Sequence, residues 1–153
     1  SGVRCFREEI AEGPGWGEDG FRIIERNMLH EVAEFENVII ACGGGTPCFF
    51  DNMEYLNKQG ETIYMNATAD IICQHLNISR NVRPLLKDKS EDEVKVFVKK
   101  QIEERDIYYK QAKHIIKVHL MDNRKKINAM AKQLISIIEM SRKALPTIEK
   151  NNK

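Results

Sequence analysis

Apolar residues recur three and four apart over residues 18–35, where Phe21, Ile24, Met28 and Val32 share one side of a helix. The period then changes. Val38-Ile39-Ile40-Ala41-Cys42 is a short continuous apolar run, as in a buried strand, and Gly43-Gly44-Gly45 closes it. Such a junction fits a strand end where something approaches the backbone closely, and equally a flexible hairpin or a helix C-cap. Residues 51–59 read as a short helix that Gly60 stops, and Thr62–Met65 as a second strand. Residues 69–76 start another helix, while 77–89 are polar, basic and broken by Pro84, as in a mobile loop. Ser90 followed by Glu93 is a capping box for a helix running to about Ala112. His114–Val118 is a third strand. Asp122 or Asn123 can cap a last helix on which Ile127, Ala131, Leu134 and Ile138 share a face, and the charged tail after Pro146 is expected to fray. Helices alternating with short apolar runs give the α/β class.

Composition narrows the partners. A chain of 153 residues can bury one core, and a net charge of +1 from 24 basic and 23 acidic residues provides no field for nucleic acid or an anionic membrane. No apolar stretch approaches the roughly 20 residues that span a bilayer, and the first residues lack a signal-peptide pattern. Cys5, Cys42, Cys48 and Cys73 have no paired C-x-x-C spacing, and His30, His75, His114 and His119 show no metal spacing. A reduced, cytoplasmic monomer without protein-ligated zinc is expected.

Two charged residues break the helical pattern. Arg105 lies near the middle of the face made by Val94, Val98, Ile102, Tyr109 and Ala112. Glu25 falls on the face of Phe21 and Val32, with Arg22 at its edge. A charge turned toward apolar neighbours must be paired or it costs several kcal/mol, roughly. A structural Arg–Glu pair satisfies that demand. So does a ligand carboxylate, which an arginine grips through two parallel hydrogen bonds. Two arginines beside an exposed glycine backbone would form a pocket for a small polyhydroxy acid.

Four motifs then occur in a specific order: Gly17-Glu18-x-x-Phe21-Arg22-x-x-Glu25, Gly43-Gly44-Gly45, Arg83-Pro84-Leu85-Leu86 and Arg105-x-x-x-Tyr109. In order and spacing they resemble shikimate kinase over roughly residues 17–140. The resemblance implies a P-loop-kinase-like, three-layer αβα fold with a parallel sheet. It implies transfer of the ATP γ-phosphoryl group to shikimate, giving 3-phosphoshikimate for chorismate and aromatic amino-acid biosynthesis, with ATP and Mg2+ as cofactors. By the same resemblance, Arg22 and Arg105 bind the substrate carboxylate, Glu25 holds Arg22 and approaches the substrate, and Gly43, Gly44 and Gly45 line the ring. Arg83 rides on a lid over 77–90 and meets the ATP phosphates in catalysis, and Arg124 stacks on adenine. The domain so defined spans 17–145, with 146–153 a disordered tail.

Departures from the family pattern carry their own expectations. These 153 residues contain no G-x-x-x-x-G-K-[ST] loop and no aspartate-bearing strand end after it. Gly13-Pro14-Gly15-Trp16-Gly17 has no lysine or hydroxyl in register and reads as a turn, and Gln74-His75 stands where relatives often carry arginines. Residues 1–16 match nothing in the pattern, although 6–11 fit a stray helix. The strand that should lie between Val38–Cys42 and Thr62–Met65 is missing, so the sheet is expected to be incomplete, with unpaired edges beside a gap. A shortened gene product or the loss of segments from a longer protein is expected ahead of a sheet repaired by moving those strands together. The alternative to an active kinase is an inactive relative that binds shikimate or a protein partner without turnover.

Overall fold

Capping, glycine stops and apolar spacing place most helices where the sequence puts them. The computed structural model describes residues 17–78 and 90–144. The expectations for segment 1–16, for Arg83 and its lid, and for tail 146–153 lie outside those residues. The described chain forms two compact units, one from the described parts of Ser1–Thr62 with Arg105–Lys113, the other from those of Ile63–Glu104 and His114–Lys153.

In the first unit, helix α1 (Gly17–Ala33) starts at Gly17, whose φ of +51° suits glycine. Glu18 and Asp19 in its first turn complement the positive end of the helix dipole. The chain then runs through Val38–Cys42 and the glycines into a 3-10 turn, Thr46–Cys48, and helix α2 (Asn52–Gln59). Gly60 ends α2 by donating its N–H to the Leu56 carbonyl. Leu29 of α1 and Met53 of α2 are buried. His30 stacks on Tyr55 with ring centroids 3.7 Å apart, and Arg26 pairs with Asp51 at 2.8 Å. Residues 105–113 are tied to the same unit, since Asn57 Nδ2 donates to the Gln111 carbonyl at 2.8 Å and Lys113 Nζ donates to the Gly60 carbonyl at 2.9 Å.

In the second unit, strands β1 (Ile63–Asn66) and β2 (His114–Lys117) pair in parallel, Ile63 opposite His114. Between them in sequence come helix α3 (Ala69–Ile78) and helix α4 (Glu91–Tyr109), whose last residues belong to the first unit. The capping box is present: Glu93 N–H donates to Ser90 Oγ at 3.3 Å, and Ser90 N–H to Glu93 Oε2 at 2.7 Å. Helix α5 (Arg124–Ala144) is capped by Asn123, whose Oδ1 accepts from Lys126 N–H at 3.0 Å. Ile116, Val118 and Met130 form the core, packed by Ile63, Ala67, Met121, Leu134 and Ile137. His75 Nε2 accepts from Met121 N–H at 2.9 Å and ties α3 to the chain after β2.

Three sequence expectations are corrected. Val38–Cys42 belongs to no ladder among the described residues, and Ile39 is 92 % exposed. A segment becomes a strand only when a neighbour pairs with it, and among the described residues none does. The expected core face of α5 is rotated. Met130, Leu134 and Ile137 pack inward, while Ile127 lies in solvent. In α1 Met28 is exposed, whereas Arg22 is buried. Among the described helices none is long and apolar enough to cross a membrane.

Candidate functional site

The glycine triplet is the floor of the site, and the reason is space rather than backbone angle. Gly45 has φ −88° and ψ −28°, which any residue can adopt, and neither Gly43 nor Gly44 has a positive φ. A Cβ at Gly45 would instead fall 2.8 Å from both Nη1 and Nη2 of Arg22. One at Gly44 would fall 2.9 Å from Arg105 Nη1 and 3.2 Å from Tyr109 Oη. Two guanidinium groups from helices far apart in sequence thus press against successive α-carbons of one turn. Thr46 N–H to Gly43 carbonyl (3.1 Å) and Cys48 N–H to Gly45 carbonyl (2.9 Å) hold that turn.

Arg22 is 6 % exposed and held on every side. Its Nε and Nη2 donate to Glu18 Oε1 at 3.0 and 2.7 Å, one helical turn back. Its Nη1 donates to Glu25 Oε2 at 2.6 Å. The guanidinium carbon lies 4.0 Å from the Phe49 ring centroid and 5.1 Å from that of Phe21, so its cationic plane contacts two aromatic rings. A buried arginine with this much support is a fixed cation, not a flexible one.

Arg105 is held differently. Its Nη1 lies against Gly44 beside the Tyr109 hydroxyl, and that hydroxyl donates to the Gly44 carbonyl, which also accepts from the Cys48 thiol at 3.7 Å. No carboxylate of the described residues pairs with it. Burial pushes the Cys48 thiol above its usual 9.0, with Arg105 and Arg22 pulling the other way. Burial likewise raises the Tyr109 hydroxyl above 10.0, opposed by Arg105. Both groups are therefore neutral at physiological pH, and the charge of the pocket rests with the arginines and with Glu18 and Glu25.

The structure brings Arg22, Glu25, Gly43, Gly44, Gly45 and Arg105 into one cluster within the first unit. Arg124 is exposed at the first turn of α5 in the other unit, and Arg83 lies outside the described residues. The sequence reading missed several supports: Glu18 on Arg22, Phe49 over its face, and Thr46, whose hydroxyl donates to Glu25 Oε1 at 2.7 Å. Glu18 carried a signal, the i, i+4 spacing to Arg22. Thr46 and Phe49 carried none. Among the described residues no three His, Cys, Asp or Glu side chains cluster to hold a metal ion. Chemically, the cluster can take an anion with planar, paired acceptors.

Comparison with known proteins gives the family. Residues 9–139 match the family model for shikimate kinase. A shikimate kinase of Bacteroides thetaiotaomicron is 44 % identical over 124 residues, 81 % of this chain and 71 % of that protein. One from Phocaeicola vulgatus is 44 % identical over 118 residues, 77 % of this chain and 67 % of the relative. The crystal structure of a shikimate kinase from Bacteroides thetaiotaomicron superposes with a TM-score of 0.81 at 42 % identity, covering 86 % of this chain and 74 % of that one. At that identity the α/β fold with its parallel pairing is shared. The chain belongs to the shikimate kinase family.

Proposed function

We propose that this chain supplies the acceptor-binding half of a shikimate kinase reaction, in which the γ-phosphoryl group of ATP passes to a ring hydroxyl of shikimate. The observation that carries the reading is the convergence of Arg22 and Arg105 on Gly44 and Gly45, one guanidinium already paired and the other without a described carboxylate partner. A ligand carboxylate placed against Arg105 gains an uncompensated cation, while Arg22 beside it, already paired with Glu18 and Glu25, offers a fixed donor plane rather than free charge. The bare α-carbons of the turn let a flat ring lie close to the backbone. Phosphoryl transfer asks little covalent chemistry of the protein and much positioning, which a rigid carboxylate anchor provides. ATP and Mg2+ belong to the reading through the family. Arg83 on the lid and Arg124 at α5 are the proposed nucleotide contacts, and the described residues support no step through them.

A second reading is favoured by one specific fact: no G-x-x-x-x-G-K-[ST] loop occurs in these 153 residues. On that reading the chain binds shikimate, or a protein partner, without turnover. Two measurements on the purified chain decide between them. Calorimetric titration should show shikimate binding that weakens about a hundredfold in Arg105→Ala, as expected when one partner of a desolvated charge pair is removed. No detectable binding by the unaltered chain overturns both readings. A coupled ADP-release assay then separates them, since turnover excludes the silent binder.

A further inference from the structure

We propose that Thr46 is a positioning residue for the carboxylate clamp, acting through Glu25 on Arg22. The proposal rests on the reading that Arg22 receives a ligand carboxylate. A guanidinium grips a carboxylate in two bonds only when its plane is set in advance. Glu25 helps set that plane, because its Oε2 accepts from Arg22 Nη1 at 2.6 Å. A carboxylate held at one oxygen still swings about its terminal torsion, which has broad minima. Here the other oxygen, Oε1, accepts from the Thr46 hydroxyl at 2.7 Å. Both oxygens are engaged and the swing is removed.

Thr46 can do this because it is itself fixed. It is buried and β-branched, so few rotamers are open to it. Its N–H donates to the Gly43 carbonyl at 3.1 Å, and its carbonyl accepts from Asn52 Nδ2 at 2.8 Å. Asn52 is 0 % exposed. The bonds form a chain: Asn52 holds the Thr46 carbonyl, the Thr46 hydroxyl holds Glu25, and Glu25 holds Arg22 above the α-carbon of Gly45. A hydroxyl has one proton, and Thr46 commits it to the clamp rather than to a backbone carbonyl.

The test uses Thr46→Val, which keeps shape and removes the hydroxyl, and Thr46→Ser, which keeps the hydroxyl. Shikimate binding by calorimetry should weaken roughly tenfold in Thr46→Val, the loss of one hydrogen bond to a charged group, and recover in Thr46→Ser to within about twofold. The second readout needs no ligand. The Arg22 Nε–H resonance, assigned by its disappearance in Arg22→Lys, should be sharp in the unaltered chain and in Thr46→Ser, and shifted or broadened in Thr46→Val. Glu25→Gln, which leaves Thr46 in place, should produce the same spectral change. Shikimate binding in Thr46→Val equal to that of the unaltered chain overturns the proposal. So does a Thr46→Ser variant as weak as Thr46→Val, since the methyl would then be what matters. An unaltered chain that does not bind shikimate sinks the functional reading, while the Arg22 resonance still decides the role of Thr46.

Discussion

Adding one methyl group at Gly45 tests whether the floor of the site and the buried arginine are a single unit. The backbone there is ordinary, so alanine brings no conformational strain, and the whole effect is steric. The new Cβ would lie 2.8 Å from both Arg22 terminal nitrogens, about 0.6 Å inside the 3.4 Å at which ordinary contact begins. An exposed arginine would swing aside at little cost. This one is held at 2.6 to 3.0 Å by Glu18 and Glu25 and faced by Phe49 at 4.0 Å, so moving it stretches three charged hydrogen bonds. Overpacking of this kind costs about 1–3 kcal/mol. If that cost falls on the bound geometry, shikimate affinity drops by about tenfold to a hundredfold. Gly44→Ala, facing Arg105 Nη1 at 2.9 Å, should behave alike. Gly43→Ala is the internal control, because its Cβ would meet Thr46 Oγ1 at 3.5 Å and Glu25 Oε1 at 3.9 Å, both ordinary contacts. Calorimetry with shikimate on the three variants, with melting curves alongside, reads the result. Equal affinities across the series would refute the reasoning, since the glycines would then serve flexibility and not clearance.

Two further outcomes concern stability. Ser90→Ala removes the hydroxyl that caps α4 and should cost about 1 kcal/mol, lowering the melting temperature by roughly 2–4 °C; an unchanged melt would mean the box contributes nothing there. Alkaline stability should report Cys48. Its folded thiol sits above 9.0 because of burial, so the unfolded thiol ionises first and unfolding releases a proton. The stabilisation is complete below pH 9 and is lost as pH rises through the folded value, so Cys48→Ser should flatten the fall in melting temperature above pH 9. A fall of the same steepness in that variant assigns the effect elsewhere.

What the sequence made legible was local. The Ser90–Glu93 box, the Gly60 stop and the Asn123 cap each involve residues within four positions of one another, and each forms as read. Apolar composition makes Val38–Cys42 a strand candidate but does not create a ladder; a partner does, and none is present among the described residues. The rotation of α5 has another cause. Ile127, Met130, Ala131, Leu134, Ile135, Ile137, Ile138 and Met140 surround much of that helix, and only tertiary packing selects the stripe at 130, 134 and 137. In the site, Arg105 and Glu25 stood out as charges on apolar faces. Thr46 looked like any turn residue, because its bond to Glu25 crosses 21 positions of sequence.

The two arginines are supported so differently that they imply a division of labour. Arg22 meets two carboxylates and two rings before any ligand arrives, so most of the roughly 2 kcal/mol of rotamer entropy an arginine can lose has gone into folding. It offers a fixed plane and little unspent charge. Arg105 lies against Gly44 and beside the Tyr109 hydroxyl, neither of which cancels its charge. On the proposed function, an incoming carboxylate would be drawn mainly by Arg105 and oriented mainly by Arg22. Loss of Arg105 should then act chiefly on affinity, whereas loosening Arg22 should act on the register of the ring. In a reaction that depends on in-line alignment, register governs rate more than occupancy does. That distinction gives the Glu18, Glu25, Thr46 and Phe49 supports a purpose beyond burying one charge.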